Sequence, residues 1–245
     1  MNAPMSTRKT YSVPHDTCVY AIGDIHGELG PLARLVAMVR RDTSRAERRV
    51  LVFLGDYVDR GLQSREVIEF LLGDPAPGFE TVFLKGNHEA WVLAFLDDAG
   101  VARQWLAAGG QGTLLSYGVS LPPGPRNADC LEAVRVSFAE ALPDAHRDFL
   151  NGLATLHVEG GYAFVHAGVR PGTPLAAQRE EDLLWGVDGF MEDPGNHGKI
   201  IVHGHAFAPE PVVARNRIGI DTGAYVTGRL TCLVLEGTAR RFLST

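Results

Sequence analysis

Cysteine is scarce: the 245 residues hold three, at Cys18, Cys130 and Cys232. Positions so scattered exclude a disulfide framework and a thiolate zinc site, and they suit a reducing compartment. The phosphate loop of cysteine-dependent phosphatases is missing as well, because the arginine that follows Cys130 stands at position 135 and not six positions on. Lysine is equally scarce, 3 against 20 arginines, a bias of composition without functional content. No apolar run approaches the roughly 20 residues of a membrane-spanning helix. The lead-in over 1–16 is polar, without a signal-peptide core, so a cytoplasmic location is expected. A formal net charge of -6 argues against general binding to nucleic acid or an anionic membrane, while leaving room for a local cleft that attracts phosphate. Internal repeats and low-complexity tracts are absent.

What is present is a recurring pattern. Val50-Leu51-Val52-Phe53-Leu54 has the length of a buried strand and opens into Gly55-Asp56-Tyr57-Val58-Asp59-Arg60-Gly61. Glycine lets the backbone turn sharply, so Asp56 projects from the strand's carboxyl end, where ligands collect in open α/β sheets. Two carboxylates three residues apart repel unless a positive charge lies beside them. A bound metal would supply that charge; a solvated type I turn would need none. The pattern returns where 18–22 runs into Gly23-Asp24-Ile25-His26-Gly27, and where 81–84 runs through Lys85 into Gly86-Asn87-His88-Glu89. It returns again at His166-Ala167-Gly168 after 162–165 and at His203-Gly204-His205 after 200–202. Five strands that each deliver Asp, Asn or His beside a glycine predict one shared site, with Asp56 on the central strand.

At 45% hydrophobic residues, the chain can bury the core of a single domain over 1–245. A helix is predicted after Gly27, with Pro31 in its first turn and Leu32, Leu35, Val36 and Val39 at helical spacing. A second is predicted over 64–72 with Ser64 as N-cap. Two successive βα units imply parallel strands and right-handed crossovers. The arginine-rich connector 40–49 reads as a solvated face. From about 89 to 156 helical patterns replace the strands, at 91–96, 101–108 and 131–142, which predicts a helical insert. Within it 109–113 and 122–125 read as loops, the first lacking the Gly-Lys-Ser/Thr of a nucleotide loop. Strands resume at 155–158 and 162–165 around Glu159-Gly160-Gly161, and 212–214, 217–220 and 231–235 read as an antiparallel meander.

Divalent cations held about 3.5–4 Å apart by a shared ligand can bind the attacking and leaving oxygens of an in-line phosphoryl displacement. Asp56 is the candidate bridge. Carboxylate, imidazole and amide donors together suit Mn2+, with Fe or Zn2+ as alternatives, better than a calcium or thiolate site would. Water bound to such a metal deprotonates near neutrality, and the departing alkoxide then needs a proton. His88 is the candidate acid, Asp59 its orienting partner, and Arg60 a bidentate fork for phosphoryl oxygens.

Gly-Asp-Ile-His-Gly at 23–27, Gly-Asp-Tyr-Val-Asp-Arg-Gly at 55–61 and Gly-Asn-His-Glu at 86–89 resemble, in order and spacing, the three signature blocks of the phosphoprotein phosphatase family of metallophosphoesterases. The resemblance implies an α/β (α+β) four-layer fold, a central β-sandwich flanked by helices, carrying the insert within a single calcineurin-like domain. It implies that Asp24, His26 and Asp56 hold one metal and Asp56, Asn87, His166 and His205 the other. His88 and Asp59 become the acid pair and Arg60 the phosphate clamp. His203 fits as a neighbour of the ligands, while His15, His146, His157 and His197 read as surface or loop histidines. Members of the family with Leu-Leu-Trp carry an arginine two residues later, whereas Leu183-Leu184-Trp185 is followed by Gly186-Val187. Arg170 is a candidate substitute for that substrate contact, or else a structural salt bridge.

The activity so implied is phosphomonoester hydrolysis by metal-activated water, on protein phosphoserine or phosphothreonine. A bis(5'-nucleosyl)-tetraphosphatase acting on diadenosine tetraphosphate is the alternative, favoured if Trp105, Tyr117 or Arg103 turns toward the metals. A non-catalytic phosphate-binding scaffold is the third reading. The expected partner is a phosphorylated protein or small phosphoester, not nucleic acid or membrane; the oligomeric state is left open.

Overall fold

The computed structural model describes residues 10–124 and 126–245. The chain begins with β1 (Thr17–Ile22), α1 (Leu29–Arg40), β2 (Arg48–Phe53), α2 (Ser64–Leu72) and β3 (Glu80–Phe83). Five helices follow: α3 (Asn87–Asp97), α4 (Ala102–Ala108), α5 (Gly110–Ser116), α6 (Ala128–Ala141) and α7 (Asp144–Asn151). Next come β4 (His157–Glu159), β5 (Tyr162–Phe164), α8 (Glu180–Trp185), β6 (Ile200–His203) and β7 (Val212–Val213). The chain closes with β8 (Arg217–Gly219), α9 (Ala224–Thr227), β9 (Thr231–Glu236) and β10 (Ala239–Ser244).

Two five-stranded sheets result, ordered β10-β9-β1-β2-β3 and β4-β5-β6-β8-β7. Strand periodicity decides which side chains face what, since alternate residues point to opposite faces. Val19, Ala21, Val50, Val52, Leu233 and Leu235 of the first sheet meet Tyr162, Phe164, Ile200 and Val202 of the second in one buried layer. The alternate residues Cys18, Tyr20, Ile22, Leu51 and Phe53 face outward and are covered by α1, α2 and the helices of the insert. Ala163, Val165 and Ile201 face outward from the second sheet and pack on Leu183 and Phe190. Both faces of the inner strands β1, β5, β6 and β9 are therefore dry, which is why they read as continuous apolar runs. This is the helix-flanked β-sandwich expected.

Several expectations need correction. β1, not β2, is the middle strand of the first sheet, so Asp56 leaves the strand beside the centre. The C-terminal strands are not one meander. β8 runs parallel to β6 and antiparallel to β7, while β9 crosses to the first sheet and pairs antiparallel with β1. β10, its own partner antiparallel to β9, had no distinct sequence signal because its residues are largely exposed at the sheet edge. Gly110 to Ser116, expected in part as loop, is helical. Ser64 is the first residue of α2 and not its cap; its hydroxyl accepts from the Asp59 N–H instead. Of the polar lead-in, residues 1–9 lie outside the described residues, but Val13 is buried in the inter-sheet core. Pro125 of the predicted 122–125 loop also lies outside them. No helix among the described residues is long and apolar enough to cross a membrane.

Candidate metal centre

The loop after β1 brings two predicted ligands, Asp24 and His26, and those after β2, β3, β5 and β6 bring one each to the same edge of the sandwich. The glycines beside them are there for space: a Cβ on Gly86 would collide with Asp56 Oδ1, and one on Gly204 with Asp24 Oδ1. Five site residues hold left-handed backbone, His26 (φ 49°), Asp56 (53°), Asp59 (70°), Arg60 (67°) and His205 (58°). Such conformations cost of order 1 kcal/mol each and persist only where the surroundings over-determine them. Glu89 does so at the Asp56 turn. Fully buried, it accepts the N–H groups of Gly86 and Asp56 on Oε2, both at 2.8 Å, and those of Tyr57 and Val58 on Oε1, at 2.8 and 3.3 Å.

The donor atoms of His26, Asp56 and His88 gather in one group and those of Asp56, His166 and His205 in a second, each within 4.8 Å. Asp56 belongs to both, with Oδ2 3.4 Å from His26 Nε2 and Oδ1 3.4 Å from His166 Nε2. Asn87 joins the second group, its Oδ1 lying 2.8 Å from His166 Nε2 and 3.0 Å from His205 Nδ1. Asp24 stands just outside these groups, accepting the His205 N–H at 3.2 and 3.0 Å. Burial, then the charges of Asp221 and Asp56, push its carboxyl well above the usual carboxylate range. Burial drives His26 down to about 3 and His205 to about 4.

Two divalent cations fit these residues. His26 Nδ1 lies 2.9 Å from the Val58 carbonyl and His166 Nδ1 2.9 Å from the Leu54 carbonyl, so each ring spends its N–H on the backbone and turns a bare Nε2 inward. That is the tautomer a metal ligand requires. Burial keeps the imidazoles of His26 and His205 neutral beside the Asp56 carboxylate, the form in which they can ligate a cation.

His88 combines a strained neighbourhood with a raised basicity. Burial disfavours its charged form, but the charge of Asp56 and the hydrogen bond to Asp59 outweigh it and carry the imidazole up to about 9. Its Nδ1 is 2.7 Å from Asp59 Oδ2. The same oxygen accepts from Trp105 Nε1 at 2.8 Å, and Oδ1 accepts from Thr113 Oγ1 at 2.6 Å.

Arg60 is exposed at the rim, its guanidinium 4.3 Å from the centre of the Tyr225 ring, which in turn packs edge-on against His26. Arg170 is not among these groups. It forms a two-pronged pair with Asp182, at 2.8 and 2.6 Å, which is the salt-bridge alternative for this residue. His203 lies buried with Nδ1 3.0 Å from the Gly204 carbonyl, outside both ligand groups. His146, expected at the surface, is buried and bonded to Tyr117 at 2.8 Å. Glu89, Thr113, Tyr225 and Asp221 escaped sequence reasoning, and Trp105, considered there only as a ring for base stacking, instead donates to Asp59. Only Glu89, inside the Gly-Asn-His-Glu block, carried a sequence signal that would have drawn notice.

Aspartate, asparagine and histidine donors gathered at the strand ends of a β-sandwich define a metallophosphoesterase. The chain belongs to the calcineurin-like phosphoesterase family, whose model matches residues 19–233. Among curated proteins it is 27% identical to serine/threonine-protein phosphatase 2 of Escherichia coli, over 93% of this chain and 97% of that one. It is 32% identical to the symmetrical bis(5'-nucleosyl)-tetraphosphatase of Methylococcus capsulatus over 62% of this chain, a match that spans only 44% of that protein's length. In fold it resembles the cold-active protein-tyrosine phosphatase of a psychrophilic Shewanella, with a TM-score of 0.56 at 17% identity, over 95% of this chain and 83% of that one.

Proposed function

We propose that this protein is a dinuclear-metal phosphomonoesterase acting on protein phosphoserine and phosphothreonine. The observation that carries the choice of substrate is the orientation of the insert. Trp105 and Tyr117 are buried in its interior, against Phe138, and Arg103 is exposed, in contact with none of the ligands among the described residues. Neither of these two rings is therefore open for a nucleobase to stack on. The Escherichia coli relative named serine/threonine-protein phosphatase 2, matched over 97% of its length, supports the same reading. Hydrolysis of diadenosine tetraphosphate is the second reading, supported by the tetraphosphatase relatives.

Bound divalent cations, Mn2+ being proposed from the mixed oxygen and nitrogen donors with Fe or Zn2+ as alternatives, would supply Lewis acidity to a water and to the phosphoryl oxygens. In this reading Asp24, His26, Asp56, Asn87, His166 and His205 hold them. Arg60 meets the phosphoryl group from the rim with its planar fork. His88 keeps a proton on Nε2, faces the site, and gives it to the leaving oxygen, while Asp59 holds the ring by Nδ1. Arg170, tied to Asp182, is left a weaker substrate contact than Arg60. A cytoplasmic site of action is proposed as well, where the free thiols of Cys18, Cys130 and Cys232 stay reduced.

Turnover of a phosphoserine peptide and of diadenosine tetraphosphate, measured side by side with Mn2+, tests the substrate. Faster kcat/KM on the peptide is expected; a preference for the dinucleotide would reverse the assignment, and no turnover of either, nor of p-nitrophenyl phosphate, would favour a non-catalytic scaffold.

A further inference from the structure

The glycine-rich segment after Trp105 is more than a connection. It folds as the hairpin of α4 and α5 and is pressed onto the turn that carries Asp59, Arg60 and Gly61. The Gly109 carbonyl accepts the Arg60 N–H at 3.0 Å, with Gly109 at φ 117°. A Cβ on Gly112 would meet the Gly61 carbonyl oxygen at 2.5 Å, and one on Gly110 would enter the Trp105 ring. From this hairpin come two of the three side-chain donors to Asp59, Trp105 Nε1 on Oδ2 and Thr113 Oγ1 on Oδ1. Thr113 also closes the loop by accepting the Asp59 N–H at 2.9 Å.

We propose, on the reading of His88 as the proton donor, that Trp105 and Thr113 are positioning residues for the acid. They fix Asp59 so that it holds His88 in the one orientation that aims Nε2 at the leaving oxygen. The chemistry of the donors supports this. A carboxylate terminal torsion is broad, so an aspartate with one partner can pivot and exchange its oxygens. Here each oxygen has its own donor, and an indole N–H can only donate. Oδ2 must then accept from both Trp105 and His88, which places a proton on His88 Nδ1 and leaves the Nε2 proton as the one delivered. The competing explanation is that Trp105 is simply core, since it also packs at 4.7 Å on Phe95 and 5.8 Å on Phe138. A packing role would depress hydrolysis of every ester alike.

The test compares kcat for phenyl phosphate, whose leaving group needs a proton, with that for p-nitrophenyl phosphate, whose leaving group does not, in the Mn2+-loaded enzyme. Trp105→Phe, which keeps a ring, and Thr113→Val, which keeps the shape, are measured beside His88→Asn. Expected is a loss on the order of tenfold for phenyl phosphate in each variant, less than about twofold for p-nitrophenyl phosphate, and little change in KM. Equal losses on both esters in Trp105→Phe and Thr113→Val, or no loss, with His88→Asn selective, would overturn the positioning role alone. Equal losses in His88→Asn would overturn the acid reading and this proposal with it. A second measurement needs neither activity nor metal: the Trp105 indole N–H resonance, assigned by its disappearance in Trp105→Phe, should move upfield in Asp59→Asn. An unmoved resonance would also overturn the proposal.

Discussion

Replacing Glu89 with glutamine exchanges one oxygen for an NH2 group and leaves the volume of the side chain nearly unchanged. Wild-type Glu89 uses both oxygens, one for Gly86 and Asp56 and the other for Tyr57 and Val58, and every partner is a donor. Whichever way the amide turns, two backbone N–H groups face an NH2 that cannot accept. Two hydrogen bonds to a charged acceptor are lost, each worth about 1.5–3 kcal/mol. Against this stands a relief. Burial, and next the charge of Asp56, push Glu89 up to about 7, so a neutral amide escapes part of the desolvation and repulsion the carboxylate bears. The balance is a destabilisation of about 2–4 kcal/mol. Urea unfolding of the metal-free protein at pH 8 would read it as a lower midpoint at unchanged slope. Because the lost bonds hold the left-handed turn at Asp56, Mn2+ affinity by calorimetry should fall about 10–100-fold, as for other partners of metal ligands. A Gln variant as stable as wild type, binding Mn2+ equally well, would refute the idea that an acceptor on both oxygens shapes the bridging turn.

Other perturbations test the rest of the site. Asp56→Asn should lose metal binding and activity together, and retention of two metals per chain by elemental analysis would remove Asp56 as the bridge. Gly86→Ala places a methyl group on the Asp56 carboxylate; a stability loss of about 1–3 kcal/mol with weakened metal binding is expected, and a neutral result in unfolding and calorimetry would show that the turn can yield. Burial lowers the pKa of His146, so its unfolded form binds the extra proton. The stability it contributes is intact above its unfolded pKa of about 6.5 and drains away as pH falls below that value. His146→Gln should flatten unfolding free energy against pH in that range by at most about 1.4 kcal/mol per pH unit, the value of one proton. An unchanged slope would mean that the other histidines account for the whole of it.

The strand-end pattern was local, and so it was legible. A buried strand followed by a glycine and a ligand is written within about eight consecutive residues, as at Val50 to Asp56, and the order of three such blocks was enough to announce a metallophosphoesterase. Where residues face both a sheet and a helix layer they are apolar throughout, and the runs at 18–22 and 50–54 said so directly. The neighbours of strands were not legible. β9 lies beside β1 although 208 residues separate Ile22 from Thr231, because closing the first sheet buries Leu233 and Leu235 against the second, a long-range gain that no window reports.

By itself, then, the sequence determined the kinds of donor, their delivery from strand ends, and the metal chemistry they suit, since these follow from short-range sterics and ligand preference. Only the tertiary structure decided that Trp105 and Thr113 reach Asp59 across 46 and 54 residues, that Glu89 braces the Asp56 turn, and that Arg170 is held by Asp182. A tryptophan, a threonine or an arginine in a helical insert has no spacing that reveals its partner. The partner is chosen when the insert packs on the sandwich and buried polar groups must find each other.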